Sequence, residues 1–104
     1  MDQILLLKTT ESNKKTAKKI ARLLILKKLA ACVSLKDIFS IYEWEGKIEK
    51  VNEVEITIKS KPELKNALIV FLKKVTSHDL PQIIYKKFNS EKKYLNWVYK
   101  SISN

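Results

Sequence analysis

The chain has 104 residues and is 45% hydrophobic, enough for one core and too short for two. Its 21 basic residues against 11 acidic ones give a formal charge of +10, which favours anionic partners in general; yet Arg22 is the only arginine, and readers of nucleic acid lean on arginine forks and aromatic stacking. The single cysteine, Cys32, excludes an internal disulfide. No segment approaches the roughly 20 apolar residues of a membrane span, and the start Met1-Asp2-Gln3 lacks the basic region of a signal peptide, so the expected address is the cytoplasm, with no membrane partner.

Ile4 to Leu7 is a continuous apolar run ending at Thr9-Thr10, and reads as a strand buried on both faces. Ser12 or Asn13 can cap the helix that follows. Its face is Ala17, Ile20, Ala21 and Leu24, and Lys27 and Lys28 suit the last turn. From Ala31 the period becomes two. Ile38, Ser40, Tyr42 and Trp44 point one way, and Phe39, Ile41, Glu43 and Glu45 the other. Gly46, the one glycine, permits a turn. On the return arm Val54, Ile56 and Ile58 oppose Glu53, Glu55, Thr57 and Lys59.

Ser60-Lys61-Pro62-Glu63 has the form of a capping box, followed by a helix with Leu64, Ala67, Leu68, Phe71, Leu72 and Val75 on one face. Pro81 to Tyr85, extended toward Phe88, reads as a short strand. Ser90 can cap a last helix whose face is Tyr94, Leu95, Val98 and Ile102. The order β-α-β-β-α-β-α predicts a single α+β domain over 1–104, ferredoxin-like with an antiparallel sheet and a C-terminal helix. The central hairpin has arms of about a dozen residues, against about 5–6 for a common strand. Two helices cannot cover it, so its arms call for a second copy.

The same order describes the RNA-recognition module, but Glu53 and Glu55 on the third strand would repel phosphate, which disfavours nucleic acid. The lysine pairs at 14–15, 18–19 and 86–87 read first as a solvated face; lysine beside many isoleucines and asparagines is also the composition of AT-rich genomes. Cys32, judged locally, is a small core residue; ligand and nucleophile readings lack spaced partners. Tyr42 and Trp44 wall a pocket, form a subunit contact, or do both. Glu53 and Lys59 are too far apart on one strand to pair, and ordinary edge solvation accounts for them.

Leu29-Ala30-Ala31-Cys32-Val33, then Ser40-Ile41-Tyr42-Glu43-Trp44-Glu45-Gly46-Lys47-Ile48-Glu49, then Glu53 and Ile58-Lys59-Ser60, together resemble the successive signatures of the CutA divalent-ion tolerance family. Thr9-Thr10 and Tyr94-Leu95-Asn96-Trp97 agree. The resemblance implies a homotrimer with sheets extended across subunit boundaries, similar in architecture to the PII signalling proteins. It implies no enzymatic activity and an association with tolerance to copper and other divalent cations. It also implies inter-subunit clefts, with Tyr42, Trp44, Glu53, Lys59 and Asp79 as ligand-binding positions and Cys32, Glu53, Asp79 and His78 as candidate metal ligands. One segment departs: where the family usually carries His-Pro-Tyr-Glu/Asp-x-Pro-Glu, this chain has Thr76-Ser77-His78-Asp79-Leu80-Pro81-Gln82. That loss puts family-like metal binding in doubt and leaves His78 as a displaced ligand or a solvated loop histidine. The alternative function is a trimeric scaffold that takes an anionic metabolite or a partner protein through Lys59 and the lysine surface.

Overall fold

The computed structural model describes residues 3–103; the Met1-Asp2 start read above lies outside them. The elements are β1 (Gln3–Glu11), α1 (Lys14–Leu26), β2 (Cys32–Trp44), β3 (Lys47–Ser60), a 3₁₀ turn (Pro62–Leu64), α2 (Lys65–Val75), β4 (Ile84–Asn89) and α3 (Lys92–Ser101). The strands form one sheet in the order β2-β3-β1-β4, and every neighbouring pair is antiparallel. This is the ferredoxin-like α+β arrangement with a C-terminal helix. Among the described residues no helix is long and apolar enough to cross a membrane.

The register assigns the two faces. Leu5, Leu7 and Thr9 on β1 lie level with Ser60, Ile58 and Ile56 on β3, and all of them are buried. Ala17, Ile20 and Leu24 of α1 and Leu68 and Leu72 of α2 close this core. The opposite face is covered at one end by α3, where Val98 and Ile102 pack on Ile4. Along β1, β3 is an interior strand flanked by β2 and β1, so edge solvation does not account for Lys59; Glu53 lies one residue past the end of β1, yet its side chain is only 11% exposed.

Several local expectations shift. β1 runs one residue past Thr10, to a buried Glu11. Asn13 caps α1 by accepting from the Thr16 N–H at 2.8 Å. α1 stops at Leu26, short of the lysines. Lys28 turns left-handed at φ 60, and the Leu29 N–H bonds back to the Leu24 carbonyl at 3.0 Å, a Schellman-type ending. The capping box does not form. Ser60 completes β3 and its hydroxyl donates to the Leu29 carbonyl at 2.7 Å, so the serine is drawn into the core and Lys61 precedes the 3₁₀ turn instead. Ala67 is exposed on α2. β4 starts at Ile84, three residues after Pro81, where pairing with Lys8 begins. Glu91, rather than Ser90, caps α3 by accepting from the Lys93 and Tyr94 N–H groups.

The hairpin outruns everything around it. β1 ends level with Val54, whereas β2 and β3 continue paired to Trp44 and Lys47. Beyond Val54 the pair is a bare two-stranded ribbon, and it gives the molecule extents of 45 × 24 × 22 Å. The two-residue turn has Glu45 at φ 52 and Gly46 at φ 80, the pair of positive angles that a type I′ turn needs.

Candidate functional site

The ribbon carries two opposed faces with different chemistry. Phe39, Ile41 and Ile48, which continue the core face, are 60%, 62% and 71% exposed. Ser40, Tyr42 and Trp44 lie on the other face, level with Val51, Glu49 and Lys47, with Ile38 level with Glu53. The segment after α2 folds back across this second face. Together they border an open cleft of about 610 Å³, within the usual range for small-ligand sites. Tyr42 and Trp44 wall it from β2, Glu53 from β3 and Thr10 from β1, while His78, Asp79 and Gln82 wall it from the loop.

The loop is held by a residue that sequence reasoning passed over. The Glu11 carboxylate accepts from the Ser12 N–H at 2.9 Å, from the Ser77 N–H at 3.1 Å and from the Ser77 hydroxyl. Burial pushes this carboxyl's pKa up, but the Ser77 hydroxyl, the two N–H donors and nearby His78 together outweigh burial and hold it below the ordinary glutamate value. A buried carboxylate persists because its lone pairs are satisfied. The available signal was its parity: Glu11 falls on the Leu5-Leu7-Thr9 face, so it had to be buried wherever the strand reached it.

His78 leans into the cleft rather than standing in solvent. Its Nε2 lies 3.8 Å from Glu53 Oε1, beyond hydrogen-bond reach, and the atom is buried without a hydrogen-bond partner among the described residues. Glu55, by contrast, is paired with Lys8 at 3.6 Å. Tyr42, Trp44, Glu53, His78 and Asp79 thus meet in one cleft within a single chain. Cys32 and Lys59 do not join them. They sit opposite each other at the far end of the hairpin, six residues along β3 from Glu53, about 20 Å at strand rise. There Lys59 Nζ lies 5.8 Å from the Tyr94 ring centre, and Tyr94 stacks on Trp97 at 5.7 Å. Among the described residues no three histidine, cysteine or carboxylate groups converge closely enough to hold a metal ion.

A family model described as the CutA1 divalent ion tolerance protein matches residues 5–101. The chain belongs to this family. It is 42% identical over 97 residues to Protein CutA of Mus musculus, covering 88% of this chain and 55% of that protein. The chain therefore spans about half the length of that relative. Among solved structures, divalent ion tolerance protein CutA1 from Ehrlichia chaffeensis superimposes with a TM-score of 0.94 at 29% identity, covering 100% of this chain and 99% of that one. The periplasmic divalent cation tolerance protein CutA from Archaeoglobus fulgidus gives 0.93 at 30% identity, covering 96% and 99%.

Proposed function

We infer that this chain is a homotrimeric, non-enzymatic, cation-responsive protein of the divalent-ion tolerance type. The observation that carries the reading is the carboxylate-lined cleft on a ribbon that one chain leaves uncovered. A strand pair with bare backbone edges and exposed aromatic residues is a surface for pairing with further copies. The ribbon supplies Tyr42, Trp44 and Glu53 to the cleft, so a copy paired with the ribbon would form part of its wall.

The cation is cargo, copper or another divalent ion. Glu53, Asp79 and His78 are the donors one chain offers, and a neighbour would complete the set, since these three do not make a cage alone. Hard ions favour the two carboxylates, and copper also takes the imidazole. Cys32 lies too far along the hairpin to share an ion with Glu53 of the same chain. It would contribute only across a subunit boundary. An anionic ligand suits the cleft poorly, because none of the described residues lining it is lysine or arginine. The proposed address is the cytoplasm, although the Archaeoglobus relative bears a periplasmic description.

Calorimetric titration with copper, zinc and calcium tests this reading. Saturable uptake by the wild type is expected, weakened about tenfold or more in Glu53→Ala and Asp79→Ala. Absence of any ion uptake stronger than millimolar would refute it.

A further inference from the structure

A bare metal ion makes no use of the aromatic walls of the cleft. A divalent ion needs oxygen or nitrogen donors at about 2–2.6 Å, whereas one chain leaves a space of about 610 Å³. Its walls include the indole of Trp44 and the phenol of Tyr42, which contribute little to holding such an ion. What they do offer is a π-face, which attracts a cation within about 6 Å of the ring centre.

Charge selects the ligand class further. One residue in five is basic in this chain of net charge +10, yet no lysine or arginine is among the described residues lining the cleft. Its charged groups are Glu53 and Asp79, with His78 between the loop and β3. Lysines elsewhere in the fold lie over aromatic rings, as Lys65 does over Tyr85 at 5.0 Å and Lys59 over Tyr94. No such pair involves Tyr42 or Trp44 among the described residues. Among the described residues of one chain, the two rings that wall the cleft have no cation over them.

We propose that the cleft is a binding site for an organic ammonium ion, held between the Glu53 and Asp79 carboxylates and the Tyr42 and Trp44 rings. This rests on the cation reading of the same cleft and names a further ligand class for it. The ammonium group lies over the rings as lysines lie over Tyr85 and Tyr94 elsewhere in the fold, with its carbon substituents toward the open side of the cleft. Ammonium and divalent ion draw on the same carboxylates, so each weakens uptake of the other.

Choline chloride and putrescine dihydrochloride, at matched ionic strength, are the probes, with sodium acetate as the anionic control. Calorimetry on the unmodified chain is paired with tryptophan fluorescence of Trp97→Phe, in which Trp44 is the sole reporter. A saturable response to either ammonium probe is expected, with none to acetate. The response should weaken about tenfold or more in Glu53→Gln and in Trp44→Leu. No saturable response to either probe up to roughly 10 mM, an equal response to acetate, or undiminished binding in the near-isosteric Glu53→Gln overturns the proposal. A zinc titration of the unmodified chain separates the two readings. Zinc uptake without an ammonium response sinks this inference and leaves the metal reading standing.

Discussion

Glu11 shows most clearly how a single buried residue shapes the site. Its carboxylate ties the end of β1 to Ser77, and thereby sets where His78 and Asp79 stand. In the folded protein this carboxyl lies below its ordinary 4.5, so the folded state gives up the proton more readily than the unfolded one. The stability it contributes is fully present above pH 4.5 and disappears as pH falls through the lower, folded value. Urea midpoints measured from pH 7 down to pH 3 should therefore fall on the acid side, and Glu11→Gln should flatten that fall. At pH 7 the substitution should cost about 1–3 kcal/mol, because a neutral amide replaces an acceptor of charge-assisted bonds. A variant as stable as the wild type, with the same acid limb, would remove Glu11 from this role. Residue chemistry was legible in the sequence only where it followed strand parity. Tyr42, Trp44 and Glu53 were readable as one face of a hairpin. The position of His78 was not, because a loop's path depends on a tether 66 residues away in sequence. Ser60 departs from its local pattern for a related reason. Its local pattern suits a helix cap, but the Leu29 carbonyl offered a buried partner that no local pattern reveals.

At the level of elements, the hairpin is specified by its turn and by its alternation. A Cβ added at Gly46 would meet nothing within 4 Å, so Gly46→Ala is opposed by backbone conformation alone. It should cost about 1 kcal/mol in a denaturant midpoint, and Gly46→Asn should cost less because asparagine tolerates the left-handed region. An alanine variant of unchanged stability would contradict the type I′ turn. Ile56 is fully buried in β3, between β2 and β1. Ile56→Ala should lower unfolding free energy by about 2–5 kcal/mol. Truncating Ile48, exposed on the ribbon, should change the stability of an isolated subunit little. The same comparison explains why the element order could be read from periodicity. Buried positions on β3 and α2 keep their periods because one face of each meets the core, whereas β1 is buried on both faces at its ends and shows as a continuous apolar run. The ends of α1 and β4 deviated where the backbone itself decided, at left-handed Lys28 and after Pro81.

At the scale of the whole molecule, the excess of the hairpin over the sheet is the dominant feature. A ribbon running from Val54 to its turn, with Phe39, Ile41 and Ile48 on one side and Tyr42 and Trp44 on the other, gains nothing from one chain's core. Apolar side chains exposed on both faces of an otherwise well-packed domain mark an interaction surface. The central claim is that the Phe39, Ile41 and Ile48 face is buried against further copies of the chain, and that the cleft on the opposite face is completed beside them. Light scattering coupled to size exclusion tests it most directly. A single species of three times the 12.1 kDa subunit mass, persisting on dilution to low micromolar concentration, is predicted. A stable monomer at that concentration would contradict the account.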